Sequence, residues 1–274
     1  MSISEKIGFA GGGRMGEALI KGLLAAGIVK EEQTMVFDSD PSRAEYLKST
    51  YGIRIGSDNR QLAEDCELIV LAVKPQVIAQ VLDELRPVVT PGNLMISIAA
   101  GIPLQYLESR LPENTRVIRV MPNTPALIGV GMTAVAGGKS VAKTDLETAD
   151  RIFSAVGKTV VLEERYLDAV TGLSGSGPAY FFAIMEAFID AGVKMGLSRD
   201  VAKALTLQTV LGSVRMALET GIPISGLREM VTSPGGTTIA GLHVMARSGL
   251  HGILMDAVES ATRRSIELKQ ETLK

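Results

Sequence analysis

The chain is poor in the residues that build metal clusters and cross-linked folds. Cys66 is its only cysteine, so neither a disulfide framework nor a Cys-based zinc site can form within it. His243 and His251 are its only histidines, too few and too close together to suggest a metal cluster, and no metal is expected. Tryptophan is absent and aromatics are scarce, with five Tyr and six Phe. Packing therefore falls to Ala, Leu, Ile, Val, Met and 29 Gly, which suits close helix and strand contacts. An excess of charge of one sign is also missing. Against 30 acidic residues stand 28 basic ones, a net charge of −2, and no basic footprint for nucleic acid is expected. The longest uncharged stretch, Pro87 to Leu107, is broken by Pro91, Gly92, Gly101 and Pro103, which excludes a membrane span. Met1 to Lys6 carries no signal-peptide pattern. The expectation is a soluble, cytoplasmic protein that acts on a small molecule, with no nucleic-acid or membrane partner.

What is present divides the chain in two. A prior of ~150 residues per domain predicts about two domains. The first half alternates short apolar runs with amphipathic segments. Lys6–Ala10 and Thr34–Phe37 read as strands, and Glu17–Ala26 as a helix ended by Gly27. Asp40 reads as an N-cap with Pro41 at the first helical position. Leu68–Val73 is a continuous apolar run of the buried parallel-strand kind, and Leu94–Ile98 and Val117–Val120 repeat it. Thr144 and Glu147 read as a capping box before a helix Leu146–Ala155, and Val160–Leu162 as the last strand. Strands alternating with helices predict an α/β fold, a Rossmann-type doubly wound sheet. After about Glu164 only helical segments follow: Ala179–Met195, Arg199–Thr220, Thr238–Ser248 and His251–Gln270. The predicted domains are thus a dinucleotide-binding domain, 1–164, and an all-helical domain, 165–274. In the segment Tyr180–Met195 the charges Glu186, Asp190 and Lys194 recur every fourth residue on one face. Nearly all else on it is apolar, so it should be buried on most sides, partly by a second subunit.

Gly11-Gly12-Gly13-Arg14-Met15-Gly16 matches G-x-G-x-x-G between a predicted strand and a predicted helix, the context that gives the motif meaning. Gly11 allows the tight turn, Gly13 the approach of a pyrophosphate, and Gly16 helix–strand packing. Asp38 ends the second strand about 20 residues after Gly16, where a carboxylate holds the adenosine ribose of NAD. Ser39 and Arg43 just beyond could instead bind a 2′-phosphate, so NADH and NADPH both stay open. In Leu71-Ala72-Val73-Lys74-Pro75 the lysine follows a buried strand and is either a cofactor contact or a solvated loop lysine. Ala100, in Ser97–Gly101, and Asn123, in Met121–Pro125, end two further strands that would face a nicotinamide. Asn123 could bond its carboxamide or merely cap a turn. Two glycine-rich segments lie in the helical half, Gly172–Tyr180 and Ser233–Thr238. The second opens a helix, and its unpaired N–H groups form a ready site for a small carboxylate, unless it is only a helix start capped by Thr237.

Ketone reduction by hydride leaves an alkoxide and needs a general acid. Neither His243 nor His251 sits in a motif with an acidic partner, so structural roles suit both. Reduction of C=N is easier, because a protonated iminium becomes a neutral amine. A hydroxyl to orient the nitrogen and donors for a carboxylate suffice.

At this point the chain resembles the Δ1-pyrroline-5-carboxylate reductases over essentially its whole length. The resemblance rests on the glycine loop after Ile7-Gly8-Phe9, on Ala72–Pro75, Met121–Pro125 and Thr171–Tyr180. The most specific piece is Leu227–Thr238, which is similar to the family signature. It implies hydride transfer from NADPH or NADH to the imine carbon of pyrroline-5-carboxylate, giving L-proline in the last step of proline biosynthesis. It implies that the backbone of Ser233, Gly235, Gly236 and Thr237 holds the substrate carboxylate, and that Thr238 bonds the ring nitrogen. It places Asn59 near the adenosine end of the cofactor. It implies a homodimer formed through the helical domain, assembled in some members into a decamer of five dimers. Family members usually prefer NADPH, and Asp38 departs from that preference. A β-hydroxyacid dehydrogenase is the nearest alternative. Gly172, Gly175 and Gly177 fit its G-x-x-G-x-G spacing, but Phe181 stands where its catalytic lysine belongs. A non-catalytic dinucleotide-binding regulator would bind NAD(P)H and turn nothing over.

Overall fold

The computed structural model describes residues 3–272. Its first elements are β1 (Ile7–Ala10), α1 (Arg14–Ala25), β2 (Thr34–Phe37), α2 (Pro41–Tyr51), β3 (Arg54–Ile55), α3 (Asn59–Asp65), β4 (Leu68–Leu71), α4 (Ile78–Leu85), β5 (Leu94–Ser97), α5 (Leu104–Arg110) and β6 (Arg116–Met121). Then come β7 (Gly131–Gly137), α6 (Lys143–Ser154), β8 (Gly157–Val161) and the short α7 (Leu167–Val170). Five helices complete the chain: α8 (Gly177–Lys194), α9 (Arg199–Glu219), α10 (Ile224–Met230), α11 (Thr237–Arg247) and α12 (Leu250–Thr272).

The strands form one eight-stranded sheet in the order β3-β2-β1-β4-β5-β6-β7-β8. Every neighbouring pair is parallel except β6 and β7. Side chains alternate between its faces. Ile7 and Phe9 of β1, with Val36, Val70 and Ile96, pack against Leu19, Ile20 and Leu23 of α1 and Ile152 and Phe153 of α6. Ala10, Met35, Ile69, Leu71 and Met95 pack on the other face against Leu62, Leu82, Leu85 and Leu107. A sheet covered on both faces buries whole strands, which is why these segments read as unbroken apolar runs. The strand order reverses between β1 and β4, and the crevice beyond the carboxyl ends there is where an open α/β sheet takes its ligand.

Local signals explain most boundaries. The Asp40 carboxylate accepts from the Ser42 N–H at 2.9 Å, with Pro41 beginning α2. The predicted capping box at Thr144 and Glu147 is corrected. Helix α6 starts at Lys143, and the Asp145 carboxylate reaches back to the Ala142 N–H at 2.8 Å. Thr144 lies inside the helix, its carbonyl accepting from the Thr148 hydroxyl. Asp145 satisfies an N–H that the threonine cannot reach from within the first turn.

By packing, residues up to Ser176 together with those from Ser260 onward form one unit, and Gly177–Glu259 a second. This division differs from 164/165. Leu167 of α7 is buried with Ala134 and Ala136 of β7. Asp168 is buried too, accepting from the Ser265 hydroxyl at 2.8 Å and from the Lys269 ammonium. In the second unit Ala202 is the one buried apolar side chain among the described residues. Helix α8, predicted to be buried on most sides, leaves Phe181 and Phe182 about 60% exposed within a single chain. Among the described residues no helix is long and apolar enough to cross a membrane.

Candidate active site

The first feature lies at the β1–β4 crevice, a cleft of about 760 Å³. Gly11 follows β1 with φ +98°, and a Cβ there would lie 2.8 Å from the Ala72 carbonyl oxygen. At Gly16 a Cβ would lie 2.7 Å from the Gly11 carbonyl oxygen, so α1 sits directly against the loop. Gly13 has open space where a side chain would be, and it begins α1 without any side-chain cap. Arg14, Met15 and Gly16 form the first turn, whose N–H groups and partial positive charge suit a pyrophosphate. The residues present thus fit a dinucleotide.

Gly11, Gly13, Asp38 and Ser39 line this cleft, as do Asn59, Ala72 and Lys74. Asp38 is half-buried at the end of β2. One carboxylate oxygen accepts from the Gly12 N–H at 2.7 Å and the other from the Asp40 N–H at 2.9 Å. Asn59 is buried and donates to the Glu84 carboxylate at 2.7 Å. Lys74 is exposed, directly ahead of the single turn that Pro75 opens. Ala100 is exposed in the loop after β5.

Two expectations change. Arg43 does not line the cleft. Its Nε donates to the Gly12 carbonyl at 2.6 Å, and its Nη2 pairs with the Glu17 carboxylate. Asn123 is engaged by protein on both sides of its amide. Its oxygen accepts from the Met132 N–H at 2.8 Å, and its nitrogen donates to the Ser174 carbonyl at 3.1 Å. It therefore joins the end of β6 to β7 and to the wide π-type turn Thr171–Gly175.

Glu17 was not foreseen. The hydroxyls of Tyr51 and Tyr46 donate to its carboxylate at 2.9 and 3.2 Å, beside the Arg43 pair. Burial pushes its pKa upward, but these hydrogen bonds and the arginine charge outweigh burial and hold it below the usual carboxylate value. Burial, then the Glu17 carboxylate, push Tyr51 up to about 12. No sequence signal joins residues 17, 43, 46 and 51, because α1 and α2 meet only in the folded chain.

The second feature is the start of α11. Gly235 is left-handed, with φ +68°, and Gly236 donates to the Ser233 carbonyl at 3.1 Å, closing a tight turn. Gly236 is the N-cap and has no side chain, so no side-chain cap occupies the first N–H groups. Thr237 opens the helix and is exposed, so it does not cap it. Thr238 is half-buried, and among the described residues its hydroxyl has no hydrogen-bond partner. This arrangement offers N–H donors to a carboxylate and one free hydroxyl beside it. His243 and His251 line, with Gly235 and Gly236 of that turn, an apolar groove of about 1030 Å³ walled by Ile239, Leu242 and Met245.

A family model described as pyrroline-5-carboxylate reductase dimerisation matches residues 164–268. One described as NADP oxidoreductase, coenzyme F420-dependent, matches residues 6–101. The chain is 46% identical to a pyrroline-5-carboxylate reductase of Methanosarcina acetivorans, over 97% of this chain and 98% of the relative. It is similar to the crystal structure of a Plasmodium falciparum pyrroline carboxylate reductase with NADP bound, at 36% identity and a TM-score of 0.88, covering 98% of this chain and 100% of that one. It is also similar to the structure of a Coxiella burnetii pyrroline-5-carboxylate reductase, at 37% identity and a TM-score of 0.92, covering 97% of this chain and 99% of that one.

Proposed function

The chain belongs to the pyrroline-5-carboxylate reductase family, and from that membership we propose that it reduces the C=N bond of Δ1-pyrroline-5-carboxylate to L-proline with NADPH or NADH. The observation that carries the proposal is the start of α11, an uncapped helix N-terminus with a free hydroxyl in its first turn. The substrate has that shape: a carboxylate on the carbon next to a ring nitrogen.

The backbone of Ser233, Gly235, Gly236 and Thr237 receives the carboxylate, and the Thr238 hydroxyl accepts from the iminium N–H and fixes the ring. The chemistry a bound dihydronicotinamide supplies is a hydride to the imine carbon. The C=N electron pair then moves onto nitrogen, and the amine forms neutral with no alkoxide to protonate. On the sheet unit, the first turn of α1 at Gly13, Arg14, Met15 and Gly16 binds the pyrophosphate. Asp38 and Ser39 meet the adenosine ribose, Asn59 lies toward the adenosine end, and Ala72, Lys74, Pro75 and Ala100 border the rest of the dinucleotide.

Pairing of two chains through the helical unit belongs to the same proposal, supported by the dimerisation model over 164–268 and by the open phenylalanines of α8. Five such dimers in a decamer are the larger assembly that the family resemblance implies. A cytoplasmic location is also proposed, supported by the free, buried thiol of Cys66. Absorbance of NADH and NADPH, followed with pyrroline-5-carboxylate beside a panel of β-keto acids, the oxidised partners of β-hydroxy acids, tests the function. The imine should be consumed and the keto acids should not, while turnover of a keto acid alone would favour the hydroxyacid dehydrogenase reading.

A further inference from the structure

We infer that Glu17 is a positioning residue that gives the cleft its preference for the unphosphorylated dinucleotide, by holding Arg43 away from the adenosine ribose. This rests on the dinucleotide reading above and adds the choice between the two cofactors.

The ribose of a dinucleotide bound at a β1–β4 crevice meets the end of β2. In this chain that end presents Asp38, with Gly12 and Asp40 N–H groups orienting its two oxygens. A ribose carrying both hydroxyls can donate to such a carboxylate. A 2′-phosphate is doubly charged, accepts only, and is repelled there unless a cation stands beside it. Arg43, one turn into α2, is the cation placed nearest in sequence to Asp38 and Ser39.

Its guanidinium is already used from three directions. Nε donates to the Gly12 carbonyl at 2.6 Å, Nη2 pairs with Glu17, and the Tyr46 ring lies 5.1 Å from the guanidinium carbon. Glu17 is itself held by two phenols, Tyr51 at 2.9 Å and Tyr46 at 3.2 Å. Swinging Arg43 toward a 2′-phosphate breaks a charge-assisted pair, a second hydrogen bond and a cation–π contact together. The cations that do line the cleft, Arg60 and Lys74, are exposed, and Asp58 and Glu84 line it with them. Charge at the adenosine end therefore gives a second anion little gain. Arg43 instead acts on the glycine loop: it grips the Gly12 carbonyl while Asp38 grips the Gly12 N–H, and the loop is set from both sides.

Calorimetric binding of ADP-ribose and of 2′-phospho-ADP-ribose tests this without any hydride chemistry. The unaltered protein should bind ADP-ribose about tenfold or more tightly than its 2′-phosphate. Arg43→Ala should weaken both ligands by a similar factor, because the loop loosens and no phosphate contact is lost. Glu17→Gln keeps the shape and removes the charge that holds Arg43. It should move the ratio toward the 2′-phosphate by about tenfold, and Glu17→Gln combined with Arg43→Ala should lose that gain. The ratio cancels any general effect of Glu17 on the helix terminus. Tighter binding of the 2′-phosphate by the unaltered protein, abolished selectively by Arg43→Ala, overturns the inference and leaves the dinucleotide reading standing. A ratio that Glu17→Gln leaves unmoved also overturns it. Failure of both ligands to bind overturns the dinucleotide reading and the inference together.

Discussion

Thr238 presents one hydroxyl in the first turn of α11, half-buried and without a partner among the described residues. A hydrogen bond to a charged iminium is worth about 1.5–3 kcal/mol. Thr238→Ala should therefore lower kcat/KM by about ten- to a hundredfold, while NADH binding, measured calorimetrically, holds. Thr238→Ser should keep much of the activity, because the hydroxyl carries the role. An alanine variant with undiminished kcat/KM would leave Thr238 as part of a helix start and nothing more. At this scale the sequence is informative wherever chemistry follows local order. Gly11, Gly13 and Gly16 are legible because turn, approach and packing are needed at fixed offsets along one loop. Gly235 and Gly236 are legible because they stand directly before a helix. The pairing of Arg43 with Glu17 is not legible, since the two lie on different helices and no spacing rule joins them.

Among the elements, β1, β2, β4, β5 and β6 follow from apolar runs, and α2 from its Asp40–Pro41 start. Three of the elements missing from the sequence reading escape it for a physical reason. Strand β3 has only two residues. Strand β7 reads Gly-Met-Thr-Ala-Val-Ala-Gly, too rich in small residues to stand out as a strand. Helix α10 is a short seven-residue segment that begins after Pro223. The antiparallel β6–β7 pair has a physical cause: the link between them holds only the single-turn helix Thr124–Ile128, too short for a crossover. Asn123 stands at the start of that link, bonded to Met132 on β7 and to Ser174. Asn123→Ala leaves the Met132 N–H without its acceptor and should cost about 1–3 kcal/mol of stability, read by urea unfolding. Unaltered stability would return Asn123 to the free, cofactor-facing part that the sequence left open.

The whole molecule joins a sheet unit with two well-packed faces to a helical unit that buries almost nothing of its own. Composition foreshadows this: α8 is too apolar to stay in water, yet its own unit is too small to cover it. A second chain supplies the cover in the proposed dimer. Phe182, about 60% exposed in the single chain, reports on it without disturbing the fold. Phe182→Asp should sediment as a monomer with helical circular dichroism intact, since a buried charge opposes only the paired state. A folded variant of unaltered dimeric size would place the interface elsewhere. The proposed division of labour, a dinucleotide at the cleft and a carboxylate at the α11 terminus, leads to one claim, that hydride goes to an imine carbon. Mass spectrometry of the product made from pyrroline-5-carboxylate and NADH bearing deuterium on the transferring carbon measures this directly. L-proline carrying one deuterium on the former imine carbon is the predicted result, and the absence of deuterated proline while the substrate and cofactor remain unconsumed would contradict it.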